Sequence, residues 1–419
     1  MRSYVARVSG PWLWLLAAAG GCGRDGVTSN HVVIDSAGVR IVESARPAWR
    51  PGEGWSVATE PMLDVGVREG DDDYLLNRVM GVTRLDDGSI VVANMGDNTL
   101  RRFDASGRLV WRVGRSGNGP GEYRQLWAVR RLGDRILALQ SRELWPDYVY
   151  DFDGNAIGSV AKTALQNSPA LGIGMAGVFA DGSYLFNNWP QGYPVKGDTW
   201  TDSTTLYVLS SDGSALDSVV RLPAVRFARF DQRRGDPIQF APLITVTVGD
   251  SLIYSNFPED YDIEVRDRSG RLVQRIRRAW TPEAVAQEAI DHYRHEFVNG
   301  TGEDGREPPQ EERARRETLL AGRHYAEHYP AHGRMRVDRA GNLWVQQRMF
   351  RSGGSSGFNA VYPEPTGWDV FDARGVWLGS VETPPRFAIM EIGDDYMAGV
   401  WRDEVDVEHA RVYALIRRD

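Results

Sequence analysis

The 419-residue chain has a single cysteine, Cys22, so no disulfide can close its fold. Histidine is scarce, with 7 in the whole chain, and the HExxH zinc pattern does not occur. No P-loop is present, which removes one common route to nucleotide chemistry. Gly114 to Gly121 is glycine-rich, but it follows the last strand of a predicted sheet and reads as a turn. Basic charge is also short: the formal net charge is -8 and no Lys/Arg stripe appears, so nucleic acid is not a predicted partner. The one strongly apolar run near the start, Pro11 to Ala19, is too short to span a membrane comfortably.

What the chain does have is a repeated sentence. Val79 to Gly114 alternates apolar strands with tight turns: Asp86-Asp87-Gly88, then Ile90 to Ala93, a loop from Asn94 to Asn98, Leu100 to Phe103, a turn from Asp104 to Gly107, and Leu109 to Val113. That is one four-stranded antiparallel meander. Variations recur over Leu126 to Val160, Gly174 to Leu222, Leu243 to Ile276 and Met335 to Val381, and a last one from Phe387 to Ile416 is one strand short. Met62 to Val65 ends in the same way as Trp111 to Gly114 and supplies the missing outermost strand from the N-terminal side. The predicted fold is all-β, a six-bladed β-propeller of four-stranded blades over residues 31–419. Between blades four and five, Thr281 to Glu296 predicts a helix with Thr281 as N-cap and Pro282 in its first turn, and Gln310 to Tyr329 predicts a second. Residues 281–330 are therefore expected as an inserted helical hairpin.

In such a ring the first-to-second and third-to-fourth strand connections share one face and are uniformly tight here. The other face carries long loops, Gln140 to Tyr148, Asn187 to Thr204, Phe350 to Gly367 and Arg402 to His409, together with the insert. Long loops on a rigid scaffold are where function usually sits. They hold the candidate ligand-binding aromatics Trp145, Trp189, Tyr193, Trp200, Phe350, Phe358, Tyr362 and Trp401, side chains suited to stacking on sugars or anchoring a peptide. His292 and His295, with His324 and His328 on the second predicted helix, are weak candidates for a metal site. Asp71-Asp72-Asp73 lacks the alternating spacing of a calcium loop and, by analogy with Glu122-Tyr123, Asp73-Tyr74 reads as a blade-to-blade linker. No catalytic residue and no cofactor are predicted.

Residues 1–21 have the form of an export signal, with Arg2 and Arg7 before the apolar run. Ala19-Gly20-Gly21-Cys22 resembles the lipobox of bacterial lipoproteins, although Ala19 stands where leucine is commonest. The resemblance implies a diacylglyceryl group on Cys22, a tether over 22–30 and, since Gly23 is not the aspartate of inner-membrane retention, an outer-membrane address. DDGSIVVANMGDNTLRRFDASGRL resembles the NHL repeat, with Asn94 where aspartate is usual, and the layout of the whole chain resembles six-bladed propeller lipoproteins of environmental bacteria. The expected function is an envelope-anchored module that binds a glycan, peptide or envelope protein on its long-loop face. The alternative is a metal-dependent lactonase or lyase of the propeller type. Its groups would sit at the starts of the innermost strands, where this chain offers Met80, Trp127, Met175, Ile244, Met335 and Ile389.

Overall fold

The computed structural model describes residues 30–141, 145–166, 168, 173–300, 306–347 and 366–418. The expected signal, Cys22 and the tether up to residue 29 lie outside the described residues, as do Phe350, Phe358 and Tyr362. The strands form six sheets, each built on an antiparallel blade, arranged as a six-bladed propeller. Blade one is Val79–Arg84, Ile90–Asn94, Thr99–Phe103 and Leu109–Val113, and blade two is Leu126–Leu132, Arg135–Gln140, Asp147–Tyr150 and Ala156–Val160. Blade three contains Ile173–Val178, Tyr184–Asn188, Thr199–Leu209 and Leu216–Arg229, with a short fifth strand, Gly235–Pro237. Blade four is Thr245–Val248, Leu252–Asn256, Asp262–Asp267 and Leu272–Arg278, and blade five is Met335–Val337, Leu343–Gln346, Gly367–Phe371 and Trp377–Glu382. Blade six has Phe387–Ile392, Tyr396–Arg402 and Glu408–Ile416 from the C-terminal end, and Ser56–Val65 from the N-terminal end.

Blades form because buried β-branched and aromatic residues face the neighbouring blade while a recurring aspartate closes the turns. Asp104 Oδ1 accepts the backbone N–H groups of Ser106 and Arg108, and Asp151, Asp267 and Asp372 do the same for their own second and fourth successors. In each of these four turns a glycine with φ between 83° and 88° follows three residues after the aspartate, a conformation that a side chain resists. Four inner strands carry a bulge near their middle or start, at Met80, Trp127, Ala176 and Met390.

The N-terminal segment is a strap around three blades. The hairpin His31–Ser36 and Val39–Ser44 adds to the outer edge of blade four, its second strand running parallel to Leu272–Arg278, so that blade has six strands rather than four. The chain then passes blade five, where Ala48 and Trp49 donate backbone hydrogen bonds to the carbonyls of Trp377 and Leu378. Trp49 lies against Gly379, whose missing side chain makes room for the ring, and continues through Trp55 to the fully buried Trp344. Ser56–Val65 then completes blade six, Val65 opposite Ala410 and Leu63 opposite Val412.

The insert differs from its expected outline. The first helix is Gln287–Asn299, and Ala286, not Thr281, precedes it. Residues near 284 are extended because they pair with the stretch near 328: Val285 donates to the Glu327 carbonyl and Tyr329 to that of Glu283. This tertiary pairing outweighs the capping preference of Thr281-Pro282. The second helix stops at Leu320 rather than Tyr329, because Gln239 of the preceding blade connection bonds the backbone of His324 and Ala326. The helices touch through Arg316, which donates to the carbonyls of Phe297, Val298 and Gly300 and so satisfies the end of the first helix.

Candidate functional site

On the long-loop face, blades four and five and the base of the insert enclose a cavity of about 500 Å³. Its floor is Asp369, in the middle of the third strand of blade five and wholly buried. Burial of a carboxylate is costly unless every lone pair is used. Here Oδ2 accepts from the Tyr261 hydroxyl and the Arg278 guanidinium, while Oδ1 accepts from Gln347 Nε2 at 3.0 Å and Ser380 Oγ at 2.8 Å. Arg278 is held between the rings of Trp377 and Tyr261, 4.3 and 4.9 Å from their centroids. Burial, then the neighbouring Asp369 charge, pushes the Tyr261 hydroxyl well above its ordinary pKa, so it remains a donor. Trp280 and Tyr329 form aromatic walls, and the exposed Thr281 and Glu283 stand at the rim.

Behind this floor His332 is completely buried, with Nε2 2.9 Å from Asn256 Nδ2 and Nδ1 2.9 Å from the Gly333 carbonyl. Its ring packs 5.1 Å from that of Tyr261. A neutral ring protonated at Nδ1 serves both contacts. Burial lowers its pKa to about 4, with nearby Arg278 adding to the effect. An unfolded histidine titrates near 6.5, so between those values the unfolded chain binds the extra proton. This part of the stability is complete above about pH 6.5 and lost as the pH falls towards 4, on the order of 3 kcal/mol in all. Urea midpoints at pH 7.5 and 4.5 should therefore differ less for His332→Gln than for the native chain. Equal differences would remove His332 as the source.

The sequence-predicted aromatics are dispersed. Trp200 lies within strand Thr199–Leu209, stacked on Phe227 at 5.6 Å, and with Trp189 packs against Val225 and Leu243. Trp401 is in strand Tyr396–Arg402, its ring covered by the Arg411 guanidinium and edged by His409. Trp145 is half-buried and Tyr193 is 63 % exposed. None of these lines the cavity described above; Trp280, Tyr261 and Tyr329 do. Those three were legible only as neighbours of the insert, whose base becomes a wall once its ends pair. His292, His295, His324 and His328 are all exposed, and the latter two lie beyond the second helix. Among the described residues no group of three or more His, Cys, Asp or Glu is placed to hold a metal ion. The triple aspartate joins a linker: Arg101, itself buried, donates to the carbonyls of Asp73 and Leu75, and the Tyr74 hydroxyl accepts from Leu109 N–H.

The opposite face is not featureless. A second cavity, of about 440 Å³, occupies the central channel where it opens among the tight turns. It is lined by the ends of the inner strands, not their starts, and so by Arg130, Arg336 and Glu391 rather than by the apolar positions named from the sequence. The preference for short turns as an empty face overlooked the channel they surround.

A family model described as a 6-bladed beta-propeller matches residues 68–142, which span blade one and the inner half of blade two. The fold is that of a six-bladed propeller. Among solved structures, a member of the duf4221 family from Bacteroides vulgatus is 10 % identical with a TM-score of 0.50, covering 87 % of this chain and 99 % of its own. A protein described as exported from Bacteroides fragilis is 12 % identical with a TM-score of 0.44, covering 87 % and 96 %. A gluconolactonase from Xanthomonas campestris is 14 % identical with a TM-score of 0.38, covering 82 % and 87 %. No curated protein matches.

Proposed function

We propose that this chain is an exported propeller lipoprotein of NHL-like kind, anchored through Cys22 in the outer membrane, that binds a glycan, peptide or envelope protein at its long-loop face. The observation that carries the reading is the cavity beneath the insert: aromatic walls at Trp280 and Tyr329 above an immobilised Arg278–Asp369 pair. Flat apolar faces beside fixed polar groups suit a sugar or a peptide side chain. Because every lone pair on Asp369 is engaged, it serves better as a fixed wall than as a general base.

Two measurements test it. Metabolic labelling with palmitate should mark the native chain and leave Cys22→Ser unlabelled; label on both, or on neither, removes the anchor. For binding, Thr281→Trp adds bulk at an exposed rim position without touching the core. Capture on arrayed bacterial envelope glycans and peptides should fall at least tenfold while the melting temperature is unchanged. Native-level capture by the variant would place the ligand elsewhere.

A further inference from the structure

We infer that the edge strand His31–Ser36 is a docking surface for a second copy of this chain, the two strands pairing antiparallel so that blade four of one copy continues into blade four of the other. The strand is the outermost of the six in that blade, and among the described residues only Val39–Ser44 pairs with it. Val32, Val33 and Ile34 are 58 %, 45 % and 48 % exposed, a run of three large apolar side chains on an open sheet edge. Such edges are commonly guarded by bulges, proline or extreme shortness. The other five blades follow that rule. The outermost strands of blades one, two, five and six each slip register against their neighbour, at Val110, Ile157, Leu378 and Met62 respectively. That of blade three is three residues long and ends in Pro237. His31–Ser36 has neither lysine nor proline, and its six pairs run without a shift.

The register within the hairpin fixes which backbone groups are left for a partner. Its turn is the two residues Ala37 and Gly38, both with positive φ, so Ser36 and Val39 form the hydrogen-bonded pair beside it. Bonding then alternates: Ile34 and Val32 bond inward, and the N–H and C=O groups of Val33 and Asp35 point away from the blade. A two-fold axis centred on Val33 satisfies that phase. It sets Val33 opposite its own counterpart with the outward groups of both in reach, Val32 opposite Ile34, and the Asp35 carboxylate opposite His31 of the partner subunit. Both copies bring the same edge, so the contact closes as a dimer. A lipid surface suits the strand less well. Val33 lies on one face of it and Val32 and Ile34 on the other, and hydrocarbon would leave the outward N–H and C=O groups without partners. Pairing of six residues falls short of the roughly 1,200 Å² buried in a standard interface, so the dimer is reversible and concentration-dependent. Dimerisation through this edge does not depend on a ligand in the long-loop cavity.

Cross-linking tests this on the full chain carrying Cys22→Ser, in which each introduced thiol is the only one. With a short bis-maleimide in mild detergent, Val33→Cys should give at least a tenfold higher dimer yield than Val110→Cys or Ile157→Cys, and the yield should rise with protein concentration. The two control positions are exposed to a similar degree but are single bulged residues on blades one and two. Val33→Pro removes only an outward N–H and leaves the bonds within the hairpin in place. It should stay monomeric in sedimentation velocity at concentrations where the Cys22→Ser parent dimerises, with an unchanged melting temperature. Equal yields at the three thiols, a parent monomeric up to about 0.1 mM, or a dimer that survives Val33→Pro would each overturn the assignment. Shielding of Val33→Cys from a water-soluble maleimide by phosphatidylethanolamine vesicles, without a dimer in detergent, would overturn it in favour of a lipid surface. If Val33→Pro fails to fold, Val33→Lys, which sets like charges opposite each other across the two-fold axis, takes its place.

Discussion

A chain lacking residues 1–66 is expected to be aggregation-prone, while one lacking only residues 1–30 should remain soluble, folded and unanchored. The longer deletion takes away more than one strand. It opens the third strand of blade six along the register from Ile416 to Ala410 and withdraws Leu63 and Val65 from the cluster that joins blades six and one. It also removes Trp49 and Trp55 from the outside of blade five and the hairpin from blade four. Each large side chain so lost contributed roughly 1.5–3 kcal/mol by burial, against a typical total stability of about 5–15 kcal/mol. Asp64 adds a polar tie: its carboxylate accepts from His409 Nδ1 at 2.8 Å and Arg411 Nε at 2.9 Å. An exposed edge of buried-type residues then invites pairing with another chain. Size-exclusion chromatography and melting of the two truncations check this. A monomeric longer truncation with an unchanged melting temperature would show that closure does not depend on this strand. Leu63→Ala in the full chain should lose about 2–5 kcal/mol by the same reasoning.

The blades were legible because the code for them is local. An Asp-x-x-Gly turn flanked by β-branched alternation states a hairpin within ten residues, and Asp104 to Gly107 folds as it reads. The closing strand was legible because its ending repeats that of blade one. The ends of the insert were not, since Thr281-Pro282 is a sound local helix start that yields to pairing between residues 283–285 and 327–329, more than forty positions apart. Trp200 and Trp401 were misplaced for a related reason: strands of blades three and six run further than their hydrophobic alternation suggests, and aromatics assigned to loops became packing. Arg130 and Arg336 carried no motif. Only the ring closure, which sets blade two opposite blade five, brings them to one carbonyl.

Replacing Lys162 by methionine should cost about 3–5 kcal/mol at neutral pH, the expected loss when a buried ion pair is left with one partner. Lys162 and Asp147 are both almost entirely enclosed, between blades two and three, with Nζ 2.7 Å from Oδ1. That oxygen also accepts Gln140 N–H at 2.8 Å, whereas Oδ2 has only the Tyr184 hydroxyl beside it, without a well-formed hydrogen bond between them. The pair is thus closely matched but incompletely satisfied. Burial raises the Asp147 pKa despite the opposing pull of Lys162. A carboxyl whose folded pKa lies above its unfolded value penalises the fold at high pH and relieves it as the group protonates. Without the lysine the shift grows, so the deficit of Lys162→Met should shrink as the pH is lowered, opposite in direction to the effect of His332. Asp147→Asn combined with Lys162→Met removes the orphaned charge, keeps an acceptor for Gln140 N–H, and should recover at least half of the loss. Urea unfolding of the single and double variants at two pH values measures this. A single variant within 1 kcal/mol of the native chain at pH 7.5, or a double variant no better than the single, would show that the orphaned carboxylate is not what destabilises the fold.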